Sequence, residues 1–185
     1  MKRILLFTLT TLLVLGTFAG CGNSKEPSGS SDPSGDSEKA YHFSFICPNI
    51  GLSYWSDVRA GLEQADAEFG TTTDFVGPQK IDTMQQIQMM ESAIASKVDG
   101  IIVAALDGTA FEPIINKAVD AGIPVICLDA DSPNSKRTSF IGTENTAAGQ
   151  AEGEALAKIM NGKANVGIIT GALDSDNVNQ RIDGI

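Results

Sequence analysis

Two carboxylates follow an apolar segment near the middle of the chain. Asp129 and Asp131 come directly after "IPVICL", residues 123–128, which has the composition of a buried strand. A carboxylate at the end of such a strand can hold a metal ion, exchange a proton with a substrate or accept hydrogen bonds from the hydroxyls of a ligand. Asp131 also suits the turn "DSPNSKR", in which it can pair with Lys136 or Arg137.

The other candidate site residues also follow predicted strands. They are Asn49, Tyr54, Trp55, Asp107 and Arg181. Because the carboxyl ends of parallel strands meet at one edge of a sheet, we expect these side chains to gather near the two carboxylates. Trp55 also fits the apolar face of a helix, and Asn49 and Asp107 also suit turns.

The sequence offers little for metal, cofactor or nucleophilic chemistry. It contains one histidine, His42, and no CxxC motif, so neither a zinc site nor a histidine-based triad is indicated. The segment from Asp174 is similar to the start of a calcium loop, but Val178 stands where a third oxygen ligand belongs. P-loop, GxGxxG and nucleophile-elbow motifs are absent. We therefore expect no cofactor, no metal and no catalytic residue.

The elements that must position the candidate residues alternate between strands and helices. Short apolar runs predict strands at residues 43–47, 73–77, 98–106, 123–129, 138–142 and 165–170. Strict alternation with short connections indicates an α/β fold, a doubly wound, Rossmann-like parallel sheet with right-handed crossovers.

Helical spacing and end signals place helices between these strands. Apolar residues recur at steps of three and four over 55–69, and Gly70 then ends that helix. Gly122 closes a later helix, and a long helix is predicted over 146–160. Two capping boxes are predicted, Asp82 with Gln85 and Thr109 with Glu112. Helical spacing predicts that the two helices they begin face the core with Ile87, Met90 and Ile94 in the first and with Phe111, Ile115 and Ala118 in the second.

Cys47 and Cys127 lie in apolar strand patterns, where free cysteine behaves as a small core residue. The predicted topology places their strands two apart, which is roughly 10 Å at the ~4.8 Å spacing of neighbouring strands. A disulfide does not reach that far. We therefore expect two buried thiols.

The first 40 residues are predicted to serve export and attachment, outside the fold. Lys2 and Arg3 precede an apolar run that ends in small residues before Cys21, as in a secretory signal over residues 1–20. Residues 22–39 contain no aliphatic or aromatic side chain, so they predict a flexible tether. The net charge is −10 and no basic block interrupts it, so nucleic-acid binding is not indicated.

Several segments, in this order, resemble the type I periplasmic binding proteins. They are "GTFAGC", "ICPNIGLSYWSDVRAGLEQADAEFG", "VDGIIVAALDGTAFEPIINKAVDAGIPVICLDAD" and "IGTENTAAGQ". The resemblance covers Phe43 to the last residue. It points to the sugar-binding receptors of bacterial ABC importers, the branch with the ribose, galactose, xylose and furanosyl-autoinducer receptors. Such proteins have two lobes, joined by three crossing segments, that close over a sugar.

The resemblance implies a division of the chain. Residues 41–142 would form the N-terminal lobe, and residues 143–185 would form the first crossing and the beginning of the C-terminal lobe. Family members continue for about another 100 residues or more, so we expect the 185 residues to be a fragment. "GTFAGC" is similar to a lipobox, which implies a lipid on Cys21 and attachment to the outer face of the cell membrane or within the periplasm.

The resemblance also implies roles for the candidate residues. Asp129 would accept hydrogen bonds from vicinal sugar hydroxyls, and Tyr54 or Trp55 would cover a flat face of the sugar ring. Arg181 would reach into the cleft from the second lobe. Asn49, Asp107 and Asp131 are weaker candidates for ligand contact.

The implied function is a non-catalytic, monomeric receptor that delivers a monosaccharide or similar polyol to an ABC permease. The alternative is a sensor that presents a sugar or autoinducer to a chemoreceptor or histidine kinase, and a lipid-anchored glycosidase comes third. Leu52 and Ala130 stand where ribose receptors carry Asn and Arg, which argues against ribose itself. DNA-binding repressors of the same fold carry a helix-turn-helix where this chain has its signal and tether.

Overall fold

The structure, a computed structural model, describes residues 40–185. Its strands are β1 (His42–Ile46), β2 (Thr72–Val76), β3 (Gly100–Val103), β4 (Val125–Leu128) and β5 (Ser139–Ile141). Its α-helices are α1 (Ser56–Phe69), α2 (Thr83–Ala95), α3 (Gly108–Asp120), α4 (Asn145–Ile159) and α5 (Asp176–Gly184). The predicted signal peptide, the lipid on Cys21 and the tether over residues 22–39 lie outside the described residues.

The five strands form one parallel sheet in the order β2-β1-β3-β4-β5. The predicted α/β fold with a parallel sheet is therefore confirmed. Cys47 follows β1 and Cys127 lies in β4. Because β3 lies between these two strands, the cysteines are two strands apart, as predicted. Both cysteines are free and fully buried.

The apolar core covers both faces of the sheet, because alternate strand residues face opposite sides. In β1, Ile46 packs in a cluster with α2 and α3, whereas Phe45 packs in a second cluster on the α1 side. Met90 of α2 and Phe111 of α3 are fully buried, as their helical spacing predicts. Leu62 of α1 packs against the second cluster.

Two of the predicted helix ends are confirmed. Gly70 follows α1 in the left-handed conformation with φ +66°, which glycine adopts without steric cost. Asp82 precedes α2, and its side chain accepts a hydrogen bond of 2.9 Å from the Gln85 amide. Within residues 40–185, no helix is both long enough and apolar enough to cross a bilayer.

The predicted capping box of α3 is wrong by two residues. The helix begins at Gly108, so Thr109 lies inside its first turn. Asp107 is the cap instead, with an extended backbone and a side chain that accepts a 2.9 Å hydrogen bond from the Ala110 amide. Aspartate is among the strongest capping residues, and here it directly precedes the first helical residue.

The strand predicted over residues 165–170 is wrong. The segment has no regular secondary structure, and none of the strands within residues 40–185 pairs with it. Ile168 and Ile169 are 47% and 101% exposed. An apolar pattern alone does not make a strand, because strands are stabilised by their ladder hydrogen bonds and cross-strand contacts.

Candidate functional site

Asp129 ends β4 in an uncommon backbone conformation. Its φ is +69°, and the Ala130 amide donates a 2.8 Å hydrogen bond to the Leu128 carbonyl, which makes Asp129 the centre of a γ-turn. The Asp129 amide is held by the Ile141 carbonyl of β5 at 2.9 Å. A left-handed residue other than glycine costs about 1–3 kcal/mol and persists only where its surroundings fix it, often at functional sites.

The Asp129 carboxylate meets Tyr54, which follows β1. The Tyr54 hydroxyl donates a 2.6 Å hydrogen bond to Oδ1 of Asp129, and 63% of the tyrosine is exposed. This hydrogen bond raises the pKa of Tyr54 to about 12, with burial as a smaller cause. The pair therefore presents an exposed aromatic ring beside a carboxylate at the carboxyl edge of the sheet.

Trp55 is placed in the core, next to this pair. It is 4% exposed and packs against Phe45 at 5.7 Å between ring centroids, while the Tyr54 ring meets it edge-on at 4.9 Å. Its indole N–H is buried without a hydrogen-bond partner among the described residues. Trp55 thus supports the Tyr54 ring from below, and ligand stacking by Trp55 itself stays a prediction.

Asp131 is held by Arg137. The guanidinium donates from Nε to Oδ1 and from Nη2 to Oδ2, the latter at 2.8 Å, and the Ser132 amide donates to Oδ1 at 2.8 Å. Both carboxylate oxygens are therefore engaged within the β4–β5 connection. The Arg137 guanidinium also lies 6.0 Å from the centre of the Phe140 ring. Of the two pairings left open by the sequence, the one with Arg137 forms, whereas Lys136 pairs with Asp120.

Asn49 and Asp107 make local backbone contacts at the same edge. The Asn49 side chain accepts a 2.9 Å hydrogen bond from the Gly51 amide, which shapes the turn after β1. Asp107 caps α3, as described above. The turn roles considered for these residues are therefore present, and ligand contact by either one stays a prediction.

Arg181, on α5, is oriented by a residue that the sequence did not single out. Its Nη2 donates a 3.0 Å hydrogen bond to Oδ1 of Asn145, and its Nη1 lies 3.6 Å from Glu152. Asn145 is 6% exposed, and its own amide group donates to the Thr143 carbonyl. The charge of Arg181 also acts on the Tyr54 phenol and opposes the increase in its pKa.

A cavity of about 220 Å³ lies between the β4–β5 connection and the pair of helices α4 and α5. Its lining includes Asp131, Arg137, Phe140, Asn145, Asp176 and Asn177. One wall thus comes from the β4–β5 connection and β5, and the other comes from residues 143–145 and from α5. Amide, carboxylate and guanidinium groups beside an aromatic ring suit a small polar ligand that carries an apolar face.

The described residues contain neither a metal-binding cluster nor a reactive thiol. Within residues 40–185, no three His, Cys, Asp or Glu side chains cluster closely enough to hold a metal ion. Burial raises the pKa of Cys47 and raises that of Cys127 to about 11, so both thiols stay protonated at neutral pH.

A family model for the periplasmic binding protein domain matches residues 43–185. The chain belongs to this family. The match spans the five strands from Phe43 onward and all five α-helices. The periplasmic binding protein domain therefore accounts for the fold and for the gathering of polar loops at one sheet edge.

Known periplasmic binding proteins resemble the chain over part of their length. The D-ribose/D-allose-binding protein of Pseudomonas aeruginosa is 36% identical over 109 residues, which is 56% of this chain and 34% of that protein. GanP, a glucose-galactose binding protein from Geobacillus stearothermophilus, is 37% identical with a TM-score of 0.75, over 80% of this chain and 52% of that one. XylFII, also solved in a complex with LytSN, is 32% identical with a TM-score of 0.76, over 79% and 54%.

This chain therefore spans about a third of that curated relative and about half of the solved structures. The first two relatives are named as sugar-binding proteins. Asn145 and the left-handed Asp129 are the site features that sequence reasoning missed. "ENT" at the start of a predicted helix was a usable signal for Asn145, whereas nothing local signals the conformation of Asp129.

Proposed function

We propose that the complete protein is an extracytoplasmic receptor that binds a monosaccharide or similar polyol and delivers it to an ABC permease. In this proposal residues 41–142 form the first lobe, and residues 143–185 form the crossing and the beginning of the second. The receptor acts as a monomer, carries out no catalysis and uses no cofactor.

The observation that carries this proposal is the pairing of Asp129 with Tyr54. A hydroxylated ring needs an acceptor for its O–H groups and a flat apolar surface for its C–H groups, and the pair supplies both. Arg181 adds a planar donor from the other side of the crossing. The D-ribose/D-allose-binding protein and the glucose-galactose binding protein GanP support the same ligand class.

The geometry gives little support to a glycosidase. Such an enzyme needs two carboxyl groups that are free to exchange a proton and to attack or stabilise the sugar. Both carboxylate oxygens of Asp131 accept hydrogen bonds from Arg137. Asp129 therefore has no free carboxylate partner within the β4–β5 connection.

A titration of the complete gene product tests the proposal. We expect calorimetry with D-ribose, D-xylose, D-glucose, D-galactose, L-arabinose and myo-inositol to show saturable binding of at least one compound. Asp129→Asn should weaken that binding by roughly 30- to 1000-fold, because charge-assisted hydrogen bonds to hydroxyls are lost. Asp131→Asn should cost less, because Arg137 already occupies that carboxylate. Absence of binding across the panel, or full affinity in Asp129→Asn, would contradict the proposal.

The 185-residue chain alone should bind the same sugar weakly or not at all. It supplies one wall of the cleft and only part of the other, and a small ligand needs contacts from both walls to be buried. Calorimetry of this chain beside the complete product provides the comparison. Equal affinity in the two would contradict the two-lobe arrangement.

We also propose that Cys21 carries the lipid that anchors the receptor outside the cytoplasmic membrane. The basis is the lipobox-like "GTFAGC" followed by a polar tether. Metabolic labelling with a clickable fatty acid should mark the wild-type protein and leave Cys21→Ala unlabelled. Label on Cys21→Ala would refute the assignment of the lipid to that residue.

A sensory receptor is the second candidate function. It is favoured by one relative, XylFII, which is solved in a complex with LytSN. In that case the liganded protein would bind the extracytoplasmic domain of a signalling protein instead of a permease. Genes for a permease and an ATPase beside this gene would support transport, whereas a histidine kinase gene in that place would support sensing.

A further inference from the structure

The helix pair α4–α5 is joined to the sheet by polar contacts. All members of both buried apolar clusters within residues 40–185 lie between Phe45 and Phe140, before the pair begins. Among the described residues, none of α5 is buried. Because shared apolar burial is what usually fixes one element on another, the position of the pair depends on the chain at 142–144 and on hydrogen bonds.

The pair itself is closely packed. A Cβ atom on Gly149 would lie 2.0 Å from the Arg181 carbonyl oxygen, and one on Gly184 would lie 2.3 Å from the Thr146 carbonyl oxygen. Only glycine allows the two backbones to approach so closely. Helices α4 and α5 therefore behave as one body, and a contact made by either helix positions both.

Asp176, the first residue of α5, makes two hydrogen bonds to the segment that joins β3 to α3. Its amide donates to the Leu106 carbonyl at 2.9 Å, and its Oδ2 accepts from the Gly108 amide at 2.9 Å. Gly108 is the first residue of α3, where unpaired amides carry partial positive charge and favour a carboxylate.

Gly108 is tightly packed against the β4–β5 connection, and this packing fixes the orientation of its amide. The Ser132 hydroxyl donates a 2.5 Å hydrogen bond to its carbonyl, and Ser132 is fully buried. A Cβ atom on Gly108 would lie 2.5 Å from the Asp131 carbonyl oxygen and 3.3 Å from Oδ2 of Asp176. The connections after β3 and β4 therefore hold the Gly108 amide in position to bind the Asp176 carboxylate.

We propose that Asp176 is a polar clasp, which holds the α4–α5 pair against the β3–α3 connection and so positions Arg181 and Asn177 over the cleft. Asp176 lines the cavity of about 220 Å³, but its Oδ2 is engaged by the Gly108 amide, so we assign it a positioning role without ligand contact. Water can replace each of its hydrogen bonds, so the clasp opens and closes without breaking an apolar core. Its effect on ligand affinity rests on the proposed function, whereas the clasp itself does not.

Hydrogen exchange resolved to single amides tests the clasp without any ligand, because the Gly108 amide is one of its donors. In the complete gene product, Asp176→Ala should speed exchange of the Gly108 amide about 10-fold or more, since its acceptor is removed. Asp176→Asn keeps an acceptor oxygen and should give a smaller increase.

Asp174→Ala is the matched control. Asp174 is exposed, lies two residues away and makes no hydrogen bond within the described residues, so its removal should leave the Gly108 amide unchanged. Amides of β1 and β3 should keep their wild-type protection in all three variants, which separates release of the clasp from unfolding. Wild-type exchange of Gly108 in Asp176→Ala would overturn the proposal.

Ligand titration separates a positioning role from direct contact. With the sugars that bind the wild-type receptor, Asp176→Asn should weaken all of them by the same factor, about 3- to 30-fold. A residue that touches the ligand changes the ratios between sugars instead, so altered ratios would refute the positioning role. If no sugar binds the wild-type receptor, the proposed function fails while the exchange experiment still decides the clasp.

Discussion

The Tyr54 hydroxyl and Oδ1 of Asp129 lie 2.6 Å apart, although 75 positions separate the two residues in the chain. The contact links the end of β1 to the end of β4 across the intervening β3. A phenol that donates to a carboxylate keeps its oxygen as an acceptor, and the second carboxylate oxygen is an acceptor too. The pair therefore offers adjacent acceptors to the O–H groups of a ligand.

Ionisation of Tyr54 provides a direct test of this hydrogen bond. In a Tyr41→Phe background one tyrosine remains, and absorbance titration should show it ionising near pH 12. Asp129→Asn removes both the carboxylate acceptor and its charge, so the pKa should fall towards 10. The pKa of Tyr54 is higher in the folded protein than in the unfolded chain. The hydrogen bond with Asp129 therefore stabilises the fold below pH 10, and this stabilisation is lost as the pH rises from 10 to 12. An unchanged pKa in Asp129→Asn would contradict the contact.

The left-handed backbone at Asp129 predicts an unusual order of stabilities. Asp129→Gly and Asp129→Ala both remove the carboxylate, but only glycine relieves the positive φ. Glycine should therefore be more stable than alanine here, by about 1 kcal/mol in chemical denaturation. Asp120, the last residue of α3, gives the reverse control, because alanine is preferred to glycine in a helix. Equal stabilities at position 129 would count against the γ-turn.

The ion pair between Asp131 and Arg137 should contribute measurably to stability. Their side chains are only 20% and 23% exposed, and the contact is bidentate. Asp131→Asn should therefore lower the free energy of unfolding by about 1–3 kcal/mol. Asp120→Asn breaks the exposed pair with Lys136 and should cost about 0.5 kcal/mol or less in the same urea titration. Equal losses would show that Asp131 is free for other partners.

The two strand cysteines should stay reduced and unreactive in the native protein. In a Cys21→Ala background, a thiol reagent at pH 8 should leave Cys47 and Cys127 unmodified over minutes, because both are buried and burial raises their pKa values. Denaturation without reductant should then release two thiol equivalents. Recovery of none would reveal a disulfide and contradict the strand order.

Local sequence signals predicted the parts of the fold that depend on local physics. The burial of Met90 and Phe111 follows from helical spacing, and Gly70 and Asp82 mark helix ends through their own backbone and side-chain preferences. The failures have non-local causes. Residues 165–170 carry a strand-like pattern but find no ladder partner among the described residues, and a strand is not stable without one.

The candidate site also has a part that the sequence predicts and a part that depends on long-range contacts. The edge that carries Asp129 and Tyr54 follows from the alternation of strands and helices, and the structure adds their hydrogen bond. The conformation of Asp129 depends on β5, and the orientation of Arg181 depends on Asn145. Such contacts join residues far apart in the chain, so periodicity and end signals do not encode them.

The order of the strands also governs how the sheet can be built. Every pairing joins strands that are neighbours in the chain or one strand apart: β1 with β2 and β3, β3 with β4, and β4 with β5. Each strand after β1 therefore pairs with a strand that precedes it in the chain. A chain delivered with its N-terminus first, from a ribosome or through a membrane, can assemble this sheet in the order of arrival. The five strands described here have all emerged once Ile141 has left the ribosome or the membrane, before α4 begins.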